Sequence, residues 1–213
     1  MTGLQTATTP RKTPRQARAA ATIEIILEGA AHILRRDGLG GLTTNHIADR
    51  AGVSIGSLYQ YFPGKEAILA ELIRRKRSAM LDAFRAAAAD ESLDLARAVD
   101  GFIGAGIAHQ LADPVLSLAL EYAETTLPLQ AETADLKAAL VGVVAAVLTR
   151  HGIDGPTLAA RDLVALARGM IDNAGLYGEQ DAASLAPRVR RAVLGYLGAG
   201  PFSSTPLPSG SFR

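Results

Sequence analysis

The chain has 213 residues, enough for one large domain or two small ones with a buried core. Its 48% hydrophobic and 20% charged composition is that of a globular protein, and with no cysteine it can build neither a disulfide framework nor a thiolate metal site. The net charge of +1 conceals an asymmetry: residues 1–89 carry 13 Lys/Arg against 7 Asp/Glu, and residues 90–213 carry 9 against 14.

A basic front suits an anionic partner and leaves a different task to the remainder, although a basic tail alone would give the same imbalance. No stretch reaches eighteen uncharged apolar residues, and the run over 136–148 is short and contains Lys137. The N-terminus has basic residues but no apolar stretch of the signal-peptide kind before Glu24. The expectation is a cytoplasmic protein without a membrane partner.

Alanine and leucine dominate and β-branched runs are few, so the sequence predicts an all-α fold of about nine helices. Residues 1–14 are polar and threonine-rich with two prolines, and read as a disordered arm. A first helix is expected over 15–36, with Ile23, Ile26, Leu27, Ala30 and Leu34 on one face and Gly38 available as its cap. Two short helices follow, one from Thr43 or Thr44 to Arg50 and one capped by Ser54, with Gly52 in the turn between them. A fourth runs from the Pro63–Gly64 turn to Ala88, with Ile68, Leu72 and Ile73 on its apolar side.

The fifth is expected over 92–111. It contains Gly101, Gly104 and Gly106, which fit either close helix packing or a bend beside a cavity. Asp113–Pro114 opens a sixth that ends before Pro128. A seventh covers 130–150, an eighth 156–174 and a ninth 184–198. For the ninth, Ser184 is preferred over Asp181 as the cap, because Asp181 would place Pro187 inside the helix. Residues 199–213 read as a loose tail. The expected domains are 15–63 and 64–198.

The second and third helices carry the most chemistry. Val53 and Leu58 flank the Ser54 cap as a hydrophobic staple, and Ile47, Ala48, Val53 and Leu58 supply a hinge core. Leu58 and Phe62, four apart, point inward. That leaves Ile55, Gly56, Ser57, Tyr59, Gln60 and Tyr61 around the exposed flanks. A glutamine amide can read a base edge, tyrosine hydroxyls can donate to phosphates, and Lys65 starts the next helix where a phosphate would also meet free N–H groups. Two short helices with a tight turn match the layout of a helix-turn-helix reader. Tyr59 and Tyr61 could instead be half-buried core residues, and His46 reads as a local structural residue.

The run TTNHIADRAGVSIGSLYQYFPGKEAIL, residues 43–69, resembles the DNA-binding signature of the TetR/AcrR family of bacterial transcription regulators. That pattern is a threonine-led helix ending in Ile-Ala-x-x-Ala-Gly-Val-Ser, a pair of small residues, Leu-Tyr-x-(His/Tyr)-Phe and x-x-Lys-Glu-x-Leu. The resemblance is not specific beyond about residue 85. It implies that Thr43, Thr44 and Asn45 touch phosphate, that Tyr59, Tyr61 and Lys65 grip phosphates, and that Ile55, Gly56, Ser57 and Gln60 face bases.

It further implies a homodimer on a palindromic operator of double-stranded DNA, paired through the last two helices. Leu163, Ala167, Met170, Val189, Val193 and Leu197 are candidates for that interface, though their pattern alone fits a monomer core equally well. It implies a small-molecule effector that releases the DNA. His109, Glu121, Tyr122 and Asn173 are candidate contacts, and the scarcity of charged ones points to a mostly apolar effector.

A repressor is the leading expectation. An activator, a ligand-independent repressor or an interaction protein without DNA binding are the alternatives. Arg11, Lys12, Arg15 and Arg18 form a basic arm that could add phosphate affinity or merely solubility. The run RRKR at 74–77 reads as a solvated face. The histidines at 32, 46, 109 and 151 are scattered, and no His-Glu-x-x-His, P-loop or dinucleotide fingerprint occurs. Neither an enzyme nor a cofactor or metal is therefore expected.

Overall fold

The computed structural model describes residues 14–198. The expected arm, apart from Pro14, and the expected tail lie outside those residues, as do Arg11 and Lys12. The described residues form only helices and turns: α1 (Pro14–Asp37), a 3-10 turn (Leu39–Gly41), α2 (Thr44–Ala51), α3 (Ile55–Tyr61), α4 (Lys65–Ala88), α5 (Leu95–Leu111), α6 (Pro114–Glu124), α7 (Gln130–Arg150), α8 (Pro156–Leu176) and α9 (Ala182–Gly198). No single described helix is long and apolar enough to cross a membrane, and α5 with α6 meets that composition only as a pair bent by 87°.

The chain forms two compact units, and the division falls inside α4, between Ile73 and Arg74. The first unit contains α1 to α3, the start of α4 and Ala119–Leu127. The i, i+3, i+4 spacing of apolar residues on α1 buries Ile26, Leu27, Ala30, Ile33 and Leu34. Ile47, Ala48, Leu58, Phe62, Ile68 and Ile73 are buried in the same unit. Gly38 ends α1 at φ 65 and ψ −167, a conformation open to glycine and strained for any side chain.

The second unit contains the rest of α4, α5, the start of α6 and α7 to α9. Helix α5 packs on α8 and α9, and α7 on α8. Its core includes Phe102, Ile103, Ile107, Val147, Leu148, Ala160, Leu163, Leu185, Val189 and Val193. The rings of Phe84 and Phe102 lie 5.3 Å apart. Tyr196 on α9 donates to the Asp162 carboxylate on α8 at 2.8 Å.

The α5 glycines divide. A Cβ at Gly101 would meet the Ala87 Cβ at 3.3 Å and one at Gly106 would meet the Ile171 Cδ1 at 3.2 Å, so both serve close packing. A Cβ at Gly104 would meet nothing within 4 Å.

Two expectations are corrected. Helix α9 starts at Ala182, and Asp181 is its cap, accepting from the Ala183 and Ser184 N–H groups at 2.9 and 3.2 Å. Pro187 does lie inside the helix. Its ring removes one bond to the Ala183 carbonyl, but both residues are exposed, so that carbonyl stays within reach of water. The RRKR run is not simply a solvated face. Arg74 makes a two-pronged ion pair with Glu132 at 2.8 Å on both arms, and Arg77 donates to the Thr133 hydroxyl. Arg74 holds the Glu132 carboxyl below its usual range.

Candidate nucleic-acid interface

The geometry of α2 and α3 follows from their caps. The Thr43 hydroxyl accepts from the His46 N–H at 3.2 Å, and the Ser54 hydroxyl accepts from the Ser57 N–H at 3.0 Å. Each cap satisfies one of the orphan donors of a helix start. Between the two helices Gly52 takes φ 67 and ψ 31, the left-handed conformation that glycine adopts without strain.

Burial then decides which side of α3 is presented. Leu58 is fully buried and Phe62 is nearly so. Ile55, Gly56 and Gln60 are exposed, Tyr59 is 52% exposed, and Ser57 and Tyr61 are half-buried. Thr43, the cap of α2, and Asn45 on α2 are exposed, and Thr44 is half-buried. Lys65, half-buried, is the first residue of α4. The Thr44 hydroxyl lies 3.3 Å from that of Tyr59, joining the two helices.

Tyr59 is therefore an exposed surface residue, while Tyr61 is partly packed. The Ser57 and Ser54 hydroxyls lie 2.8 Å apart, so one of Ser57's bonding positions is already used. Among the described residues, the side chains of Asn45, Gln60, Tyr61 and Lys65 have no hydrogen-bond or ion-pair partner. The ten expected contact residues thus share one region of the first unit, and several polar groups there are available to an outside partner. A Cβ at Gly56 would meet only the Ser54 Oγ, at 3.9 Å, so the surface there is open to close approach.

Two ties in this unit were not anticipated. Arg50 on α2 donates to the His32 Nδ1 on α1 at 3.3 Å, which places the His32 proton on Nε2. The His46 Nδ1 lies 3.1 Å from the Gly41 carbonyl. No spacing rule links residues 32 and 50, and a 3-10 turn of three residues carries no sequence period, so neither tie had a signal to find. Arg18 is exposed on α1.

The candidate effector contacts do not gather in one unit. His109 and Asn173 belong to the second and Glu121 and Tyr122 to the first. Asn173 is exposed, Glu121 is half-buried and Tyr122 is 67% exposed. His109 is half-buried, and burial together with Lys76 lowers its pKa to about 4, so the ring is neutral near pH 7. Of the candidate dimer residues, Leu163, Val189 and Val193 are buried in the core of the second unit, and Ala167, Met170 and Leu197 are partly buried against it. Among the described residues no group of three His, Asp or Glu is placed to hold a metal.

Short capped helices joined by a glycine turn, the second with a buried apolar side and a polar, aromatic outer side, define the helix-turn-helix class. Residues 26–72 match the family model described as bacterial regulatory proteins, tetR family, and residues 94–197 match the tetracyclin repressor-like C-terminal domain. The chain belongs to the TetR family of transcriptional regulators.

Solved structures agree in fold. A transcriptional regulator from Pseudomonas aeruginosa PAO1 is 24% identical, with a TM-score of 0.69 over 89% of this chain and 94% of its own. A TetR-family regulator from Mesorhizobium loti MAFF303099 is 20% identical, with a TM-score of 0.67 over 85% and 98%. The fatty acid degradation regulator FadR from Bacillus halodurans is 19% identical, with a TM-score of 0.68 over 87% and 97%. No curated protein matches the chain.

Proposed function

We propose that the chain is a sequence-specific DNA-binding regulator, a cytoplasmic homodimeric repressor that a small molecule releases from a palindromic operator. The observation that carries the reading is the two-sidedness of α3. Leu58 and Phe62 are buried, while Ile55, Gly56, Tyr59 and Gln60 stand outward. In this reading Gln60, Ile55, Gly56 and Ser57 face base edges. Thr43, Thr44, Asn45, Tyr59, Tyr61 and Lys65 hold phosphates and set the register.

A single reader of this size covers few base pairs, so a pair about a two-fold axis is needed, with half-sites one turn, roughly 34–36 Å, or a multiple apart. For the interface we place pairing on the outer face of α8, because Leu163, Val189 and Val193 already serve their own core. Leu158 and Leu176 are 55% and 63% exposed there, with Ala165 and Gly169 exposed between them. For the effector we retain a mostly apolar ligand with His109 as a polar contact, since a neutral imidazole suits an uncharged partner. Such a ligand releases DNA only if it binds the non-DNA form more tightly.

The test is a fluorescence-anisotropy titration with duplex from upstream of the protein's own gene, beside a shuffled duplex, at several salt concentrations. Tight binding to the first alone, at two protomers or a multiple per site, is the expected result. Failure to bind either duplex at any salt concentration would remove the reading.

A further inference from the structure

The start of α2 is held by a contact between His46 and Gly41, to neither of which the resemblance assigns a DNA contact. Helix α1 ends at Asp37, whose carboxylate receives the Arg36 guanidinium at 2.9 and 2.7 Å. The end of α1 lies so close to the following turn that a Cβ at Gly41 would stand 2.5 Å from the Asp37 Cβ. The turn can rest there only without a side chain. In that position the Gly41 carbonyl lies 3.1 Å from the His46 Nδ1. A carbonyl oxygen only accepts, so Nδ1 carries the proton and donates, which sets the tautomer of the ring.

His46 is thereby fastened twice. Its side chain holds the preceding turn, and its backbone N–H holds the Thr43 cap at 3.2 Å. Thr44 and Asn45 lie between these two anchors, and the Thr44 hydroxyl meets that of Tyr59 at 3.3 Å. A continuous series of contacts therefore runs from the end of α1, through Gly41 and His46, to the first turn of α2 and on to the outer face of α3.

We propose that His46, with Gly41 as its acceptor, is a positioning residue for the DNA grip: it fixes Thr44 and Asn45, and through Thr44 the Tyr59 hydroxyl, without itself touching DNA. The inference rests on the DNA-binding reading above.

Side-chain geometry supplies the test. An asparagine places its amide nitrogen two bonds beyond Cβ, as Nδ1 is placed, and can donate to Gly41. A glutamine sits three residues after the Thr43 cap and can close a capping box, which preserves the helix, but its amide lies one bond too far out to replace Nδ1. Alanine does neither.

The full chain and its His46→Ala, His46→Asn and His46→Gln variants are titrated with the upstream and shuffled duplexes at several salt concentrations, and Lys65→Ala serves as the contact control. His46→Ala and His46→Gln should bind about 3- to 10-fold more weakly, the worth of one hydrogen bond, and His46→Asn should recover most of the loss. The dependence of log affinity on log salt should stay that of the wild type in all three, whereas Lys65→Ala should lower its slope by about 1.

A DNA-free measurement accompanies this. Imidazole nitrogen shifts should show the Nδ1–H tautomer, and the amides of residues 44–47 should exchange faster in His46→Ala but not in His46→Asn. Wild-type binding to DNA with unchanged affinity in His46→Ala, no rescue by asparagine, or a slope change of about 1 in the His46 variants would each overturn the positioning role and leave the DNA reading intact. A wild type that binds neither duplex would overturn both, and that result is separate from any His46 variant.

Discussion

At Tyr59 the proposed reading gives a single oxygen atom two tasks. The ring rests on the exposed side of α3 while its hydroxyl meets the Thr44 hydroxyl at 3.3 Å, and in the proposed reading the same oxygen would meet a phosphate. Tyr59→Phe removes that oxygen and little else. Binding to any duplex should weaken by about 3- to 10-fold, while the thermal unfolding curve should move by no more than about 0.5 kcal/mol equivalent, because the residue is largely exposed. Anisotropy and calorimetry on the same preparation check both halves, and normal binding would strike the hydroxyl from the contact set.

His109 is tested by pH. Burial first, and Lys76 second, lower its pKa from 6.5 to about 4. A base with a depressed folded pKa takes up its proton less readily folded than unfolded. Its contribution to stability is therefore fully present above about 6.5, declines as pH falls toward about 4, and falls no further below that. Water reaches part of the ring and screens the effect, so the loss is on the order of 1 kcal/mol. Denaturant curves of wild type and His109→Gln should diverge across that window, and parallel curves would show that the ring is not desolvated as described. The exposure of Ile55, Gly56, Tyr59 and Gln60 on α3 was legible in the sequence because Leu58 and Phe62 fix the inward side, whereas Ser57 and Tyr61, expected on the exposed flanks, are half-buried. The link from His46 to Gly41 was not legible, since it depends on where a short turn settles.

Among elements, the boundaries with strong local chemistry were the readable ones. Thr43, Gly52 and Ser54 delimit α2 and α3 because each satisfies or relaxes a specific backbone requirement. Helix α9 was harder, because two caps competed and the proline rule favoured the wrong one; packing of Leu185, Val189 and Val193 into the core outweighs one lost bond at an exposed turn. The α5 glycines show the same limit: their spacing leaves close packing and an open face undivided, and only the neighbouring helices separate them.

Gly104→Ala should stabilise the second unit by up to about 1 kcal/mol, since the added methyl meets nothing within 4 Å and the helix interior favours alanine. Gly101→Ala should gain less or lose, because its methyl meets the Ala87 Cβ at 3.3 Å. Urea midpoints measure the difference, and equal gains at both positions would contradict the packing assigned to Gly101.

At the scale of the whole molecule, the proposed two-fold reading requires a surface on which two copies of the chain can pair. The outer face of α8 has the features that self-pairing needs. Leu158 and Leu176 are apolar and exposed at its two ends, and Ala165 and Gly169 are exposed and small near its middle. In the proposed dimer, antiparallel pairing centred on Ala167 would bring the Leu158 and Leu176 ends of two copies of α8 together and let the helices approach at the small residues.

Gly169→Glu isolates this contact. In the single chain a Cβ there meets nothing within 4 Å, and glutamate is a better helix former than glycine, so folding should be kept or improved. In the pair, two carboxylates would be forced together where the helices come closest. Sedimentation should show the wild type as a dimer and the variant as a monomer with unchanged helical content. The variant should lose preference for a palindrome while keeping the weak, steeply salt-dependent attraction of a basic surface for any duplex. A variant that stays dimeric would place the interface elsewhere. A monomer that keeps its palindrome preference would separate operator reading from dimerisation.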